Sequence, residues 1–205
     1  MTTFEELYGR LVKASVQNRL PEELEQVRKE KYDPHQLDCL LSPEKHPPVI
    51  RIGDCACSEN ERAACAGKCL FDALYRDEKG NLVVDPKLCV GCEDCVENCK
   101  AHKLTESRDI LPALEAIHRA EAPVYAMIAP AFINQFSSEV TPGKLRAAFK
   151  RIGFAGMVEV ALFADILTLK EALEFDRNIL KEEDYQLTSC CCPMWISIIR
   201  RVYHE

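Results

Sequence analysis

The sequence predicts an α+β cysteine-rich module followed by a partial α/β domain with a parallel sheet, both preceded by a helical segment. Three observations carry this expectation: an apolar stripe at helical spacing near the N-terminus, eight cysteines between Cys55 and Cys99, and alternating β and α patterns after Thr105. The corresponding divisions are residues 1–48, 49–104 and 105–205.

Residues 1–32 read as helix. Thr2 and Thr3 stand three residues before Glu5 and Glu6 as capping partners, and Phe4, Leu7, Tyr8, Leu11 and Val12 form one apolar stripe. A break at Asn18 to Pro21 starts a second helix, and the pair is read as packing without chemistry. From Tyr32 to Pro48 the turn formers Asp33-Pro34 and Ser42-Pro43, with Pro47-Pro48, mark a linker. Within the cysteine-rich block, Leu70 to Tyr75 and Asn81 to Val84 are short apolar patches around a turn at Asp77 to Gly80.

Beyond Thr105 the expected order is helix Ile110 to Ala120, strand Val124 to Ile128, helix Pro142 to Ile152, strand Met157 to Leu162 and helix Ala164 to Phe175. A short strand at Tyr185 to Ser189 then leads into Cys190-Cys191-Cys192, and Pro193 opens a helix from Trp195 to Val202. Alternation of this kind implies parallel strands, with binding groups at their carboxyl ends.

Composition narrows the function. The 205 residues are 47% hydrophobic, enough to build a core. A net charge of −7 excludes nucleic acid as the main partner, since phosphate binding needs a basic face. Met1-Thr-Thr-Phe has no leader pattern, and the longest uncharged apolar run, near Val124 to Phe132, is interrupted by Pro130, so a cytoplasmic chain without a membrane anchor is expected. Twelve cysteines in a reducing compartment point to metal rather than disulfides.

The run Cys89-Val-Gly-Cys92-Glu-Asp-Cys95-Val-Glu-Asn-Cys99 has C-x2-C-x2-C-x3-C spacing, in which three thiolates on a tight loop reach three corners of a cubane and Cys99 points elsewhere. Gly91 suits a backbone folded closely around inorganic sulfide. Upstream, Cys55, Cys57, Cys65 and Cys69 supply a second set with a one-residue first gap and an insertion between Cys57 and Cys65. The segment resembles a two-[4Fe-4S] ferredoxin domain, although Leu70 and Lys100 stand where that family usually has proline. The resemblance implies a crossed ligand pattern, with Cys55, Cys57, Cys65 and Cys99 on one cluster and Cys89, Cys92, Cys95 and Cys69 on the other. Zinc is the competing reading of four thiolates, but its sites usually use paired C-x2-C knuckles. Cys39 reads as a small buried apolar residue, and the five histidines show no ligand spacing with one another.

The stretch Thr188-Ser189-Cys190-Cys191-Cys192-Pro193-Met194-Trp195 resembles the Thr-Ser-Cys-Cys-Pro-x-Trp signature of iron-only ([FeFe]) hydrogenases. Supporting segments are Ile128 to Ala131, Gly143-Lys144-Leu145, Phe163-Ala164-Asp165, and Glu174-Phe175, so the likeness covers roughly residues 123 to 203. It implies that Cys192 ligates the [4Fe-4S] part of the H-cluster and Cys191 passes protons to the diiron subsite. Anchoring on Thr188-Ser189 instead shifts these roles to Cys191 and Cys190. A thiol near a cluster has a lowered pKa and can shuttle protons, which suits either assignment.

The family's further H-cluster motifs, of Pro-Cys-x-x-Lys and Cys-x-x-Gly-Cys type, do not occur before Glu205. The expectation is therefore the electron-relay half of an iron-hydrogenase-like oxidoreductase of anaerobic metabolism, inactive toward hydrogen as the 205-residue chain alone. It would exchange electrons with a soluble partner such as ferredoxin, and it is expected to be either a truncated product or fragment, or one subunit whose missing half of the H-cluster domain lies on another chain. A non-enzymatic ferredoxin-like redox or sensory module is the alternative.

Overall fold

The computed structural model describes residues 2–55, 57–184 and 192–203. The expected strand at 185–189, together with Cys190 and Cys191, lies outside the described residues. Contacts divide the chain into two compact units: one contains everything to Ala113 together with the C-terminal helix, and the other runs from Leu114 through the long helix that follows.

In the first unit, α1 (Phe4–Val16) begins with the expected capping box. The Glu6 N–H donates to Thr3 Oγ1 at 3.3 Å, and the Thr3 N–H donates to Glu6 Oε2 at 2.9 Å. Phe4, Leu7 and Leu11 recur at helical spacing and are buried. Asn18, at φ 56°, turns the chain into α2 (Leu20–Val27). Arg10 ties the pair together through Glu23 at 2.7 Å and Glu30 at 2.8 Å.

The segment expected to be a linker contains α3 (Pro34–Leu41), which buries Gln36, Leu37, Cys39 and Leu40. Asp33 and Pro34 are helix-start residues here rather than turn residues: the Asp33 carboxylate accepts the His35 N–H at 2.9 Å, and Pro34 occupies the first turn, where no N–H is needed.

Strand β1 (Val49–Arg51) joins two hydrophobic cores, because successive strand side chains point to opposite faces. Ile50 packs with Phe4, Leu7, Leu11, Val27, Leu37, Cys39 and Leu40, whereas Val49 packs with a second cluster. Arg108 closes the first core from outside: its guanidinium lies 4.4 Å from the Tyr8 ring centroid and donates to Glu5 at 2.6 and 2.8 Å.

The cysteine-rich region contains α4 (Glu59–Ala66), β2 (Leu74–Arg76), β3 (Leu82–Val84), α5 (Asp94–Glu97) and β4 (Leu104–Glu106). Strands β2 and β3 form an antiparallel hairpin across the expected turn, where Asp77 Oδ1 accepts the N–H groups of Lys79 and Asn81 and Gly80 takes φ 75°. Strand β1 pairs antiparallel with β4, Val49 opposite Glu106 and Arg51 opposite Leu104. The loop that carries all eight cysteines is thereby closed at its base. Beneath it, Val49, Leu74, Leu82, Val84, Cys99 and Leu104 form the second core.

Helix α6 (Ile110–Arg119) crosses the boundary between the units. In the second unit, β5 (Tyr125–Ile128) pairs parallel with β6 (Gly156–Glu159) around the crossover helix α7 (Pro142–Ile152). The expected parallel arrangement is present. Thr141 Oγ1 caps α7, and Gly153 at φ 120° ends it. The strand expected to reach Leu162 stops at Glu159, opposite the last residue of β5, and α8 (Val160–Asn178) takes up the following residues. Leu162, Phe163, Ile166, Leu169 and Leu173 of α8 are exposed. Helix α9 (Pro193–Arg201) has Pro193 in its first turn, as expected. Among the described residues, no helix is long and apolar enough to cross a membrane.

Candidate metal centre

The eight cysteines of the loop border two cavities. One, of about 150 Å³, is lined by Cys55, Cys57, Cys65 and Cys99, with Cys95 also at its wall. The other, of about 60 Å³, is lined by Cys69, Cys89, Cys92 and Cys95. Each set therefore draws one thiol from the opposite end of the loop: Cys99 joins a group more than thirty residues earlier, and Cys69 joins one twenty residues later. Cys55 and Cys57 follow β1, Cys65 rides on α4 and Cys95 on α5, while Cys89 and Cys92 sit on the loop between β3 and α5. That loop needs its glycine: Gly91 has φ 69°, and a Cβ there would stand 3.2 Å from Cβ of Pro48.

Cys69 and Cys99 adopt the same local turn. The carbonyl of Cys69 accepts the Asp72 N–H at 3.2 Å and that of Cys99 accepts the His102 N–H at 2.9 Å; Asp72 and His102 have φ 53° and 50°. The Ala73 N–H then donates to Sγ of Cys69 at 3.4 Å, and the Lys103 N–H to Sγ of Cys99 at 3.3 Å. In each case the next residue begins a strand. The chain thus repeats one Cys–turn–strand device, which aims a backbone donor at each crossing sulfur. Neither turn uses the proline usual in ferredoxins, and His102 is an exposed turn residue.

Neighbouring thiols of the same set add to the raised proton affinity of Cys65 and Cys95. Burial pushes Cys65 up, and Cys99, Cys55 and Cys57 add to it while Arg76 opposes. Burial pushes Cys95 up to about 12, with Cys89, Cys92 and Cys69 adding. Burial also raises Cys89, against the pull of the Gly91 and Val49 backbone groups. Buried thiols with raised proton affinity, as Cys65, Cys89 and Cys95 have, make a donor set that suits a bound cation or cluster able to supply the counter-charge.

Comparison with known proteins agrees with this chemistry. The family described as iron only hydrogenase large subunit, C-terminal domain, matches residues 122–205. The putative electron transport protein YsaA of Escherichia coli is 32% identical over 106 residues, covering 45% of this chain and 67% of that protein. Over residues 122–205 the chain is thus similar to iron-only hydrogenase large subunits, and over about half its length to an electron transport protein. Further similar proteins are the thiosulfate reductase electron transfer subunit PhsB of Salmonella typhi, 34% identical over 91 residues, and the NADP-reducing hydrogenase subunit HndD of Solidesulfovibrio fructosivorans, 26% identical over 131 residues. These matches cover 44% and 58% of this chain, and the chain spans only 44% and 22% of those relatives.

Of the hydrogenase-like signature, Cys192 is described and caps α9, its Sγ accepting the Trp195 N–H at 3.5 Å. Cys191 lies outside the described residues. At the far end of α9, Arg201 donates to the carbonyl of Leu88, next to Cys89, at 3.0 Å.

One group was not legible as a set in the sequence. His35, Cys39 and His46 present donor atoms within 4.8 Å of one another. Cys39 is buried, as expected, but it is not isolated from other donors. The signal was the i, i+4 spacing of His35 and Cys39, which acquires meaning only once residues 34–41 are read as helix.

Proposed function

We propose that this chain is the electron-relay part of an iron-only hydrogenase-like oxidoreductase, carrying two [4Fe-4S] clusters in a ferredoxin-like module over residues 49–104. Cys55, Cys57, Cys65 and Cys99 hold one cluster, and Cys89, Cys92, Cys95 and Cys69 hold the other. The observation that carries the reading is that the eight thiols border two cavities, Cys55, Cys57, Cys65 and Cys99 at one and Cys69, Cys89, Cys92 and Cys95 at the other, with Cys95 reaching both. Bound there, each cluster supplies a one-electron carrier. The protein's part is to fix the thiolates, exclude water with the core beneath the loop, and direct the Ala73 and Lys103 N–H groups at sulfur, where they favour the more negative, reduced state.

The reading extends to residues 105–205 as part of an H-cluster domain, with Cys192 a ligand and Sγ of Cys191 carrying a proton. Hydrogen chemistry then requires further ligands from another segment or a partner chain. The exposed apolar residues of α8 support such a covering partner. A soluble electron donor or acceptor such as ferredoxin completes the relay, in the reducing cytoplasm, where ten described cysteines without disulfides are at home.

Protein purified without oxygen should contain about eight iron and eight sulfide per chain and bleach with dithionite. Cys92→Ser should lose about half of that iron, since one of two clusters loses a ligand. Colourless protein with zinc in the tetrads and no sulfide, or full iron in Cys92→Ser, would overturn the assignment.

A further inference from the structure

Away from the eight-cysteine loop, a second kind of donor set is assembled by α3 and the short helical turn Pro43–Lys45 that follows it. Helix α3 places His35 and Cys39 four residues apart on one face, and Sγ of Cys39 lies 3.7 Å from Nε2 of His35. The turn after α3 folds the chain back, so that the His46 ring meets His35 edge-on with centroids 5.4 Å apart. One atom from each of the three residues falls within 4.8 Å of the others. A tetrahedral ion with bonds of about 2.3 Å to sulfur and 2.0–2.1 Å to nitrogen has an S–N edge of about 3.6 Å, and the observed 3.7 Å matches that edge.

The imidazole of His46 is also held. Its Nε2 donates to Oδ2 of Asp38 at 2.9 Å, which leaves the lone pair on Nδ1. A carboxylate on the far nitrogen is the arrangement that orients histidine ligands and raises their basicity. The His46 side chain is 14% exposed, Cys39 is buried and His35 is exposed, so the set runs from the surface to the core.

We propose that His35, Cys39 and His46 bind one divalent transition-metal ion of the zinc class, with Asp38 as the positioning residue for His46. Two imidazoles and a thiolate are a borderline-soft set that selects zinc over magnesium or calcium, and three protein ligands leave a fourth position for water. Binding exchanges the thiol proton of Cys39 for the ion, and the proton leaves to solvent. The ion would pin residues 42–48, whose Pro48 lies against Gly91 of the cluster loop. The site is independent of the electron-relay reading.

The test uses the whole, iron-loaded chain, reduced and free of oxygen, exposed to zinc ions and then desalted. Expected are one zinc per chain with iron unchanged, and a zinc X-ray absorption spectrum fitted by one sulfur near 2.3 Å and two imidazole nitrogens near 2.0–2.1 Å. His35→Gln and His46→Gln, on residues outside the buried core, should each weaken zinc binding at least about ten-fold without loss of iron, and Asp38→Asn by about ten-fold or more. Cys39→Ser is a poor probe because it also disturbs the core. The proposal fails if the wild-type chain retains no zinc, if the ion has an all-sulfur shell, or if the His35→Gln/His46→Gln double variant holds zinc as tightly as the wild type.

Discussion

Arg76 opposes the burial and neighbouring thiols that raise Cys65, and it is not the only cation at that cavity. Lys68, Lys100 and Lys103 line it too, against the carboxylates Glu61 and Asp94, whereas the cavity of Cys69, Cys89, Cys92 and Cys95 has Lys68 against Glu93 and Asp94. Positive surroundings favour the added electron, so the cluster proposed at Cys55, Cys57, Cys65 and Cys99 should be the easier to reduce. Arg76→Gln should lower its potential, on the order of tens of millivolts for a loss of about 1 kcal/mol, and leave the other cluster unmoved. A potentiometric titration followed by electron paramagnetic resonance checks this; a shift confined to the other cluster, or upward, would refute it. At this scale the sequence was most readable where chemistry demands fixed spacing, as from Cys89 to Cys99. It was least readable where side chains meet only through the fold, as His35 and His46 do, eleven residues apart with no periodic relation.

Among the elements, α3 shows how one pair of residues can be read two ways. Asp and Pro both start turns and start helices, and what decides is whether apolar residues follow at helical spacing: Leu37, Leu40 and Leu41 do. Asp33→Ala removes the carboxylate that accepts the His35 N–H and should destabilise the first unit by about 1 kcal/mol, read as a lower denaturation midpoint. An unchanged midpoint would mean that α3 is held by Leu37 and Leu40 alone. Helix α7 was legible to the residue because Thr141, Pro142 and Gly153 mark both ends. The end of β6 was not, since Val160, Ala161 and Leu162 suit strand and helix alike, and the length of the partner strand settles the matter.

For the whole molecule, proton linkage separates the metal-free from the metal-loaded state. Burial raises Cys95 to about 12 and Cys39 to about 11, and it raises Cys65 and Cys89 as well, while an unfolded cysteine titrates near 8.5. Below that value both states hold their protons and nothing changes. Above it the unfolded chain releases protons that the folded chain keeps, so stability falls as pH rises toward the folded values. Denaturation of the metal-free protein should therefore become easier between pH 8 and pH 10. The iron-loaded protein, whose ligating thiols no longer titrate, should show a smaller drop; equal slopes would contradict the ligand assignment. The first core extends past residue 48, because β1 sends Ile50 to the helices and Val49 to the cysteines. Alternation along three residues is too short a pattern to disclose a strand shared by two cores.

The pairing of β1 with β4 has one more consequence. The Ser107 N–H donates to the Pro48 carbonyl at 2.8 Å, so the polypeptide departs toward its cysteines and comes back at nearly the same point. A segment anchored in that way is portable: a host chain can accept it at a surface position without separating its own flanks, much as a bead is slipped onto a string. Electron carriers built like this can be added to, or traded between, larger redox proteins while the surrounding architecture stays as it was.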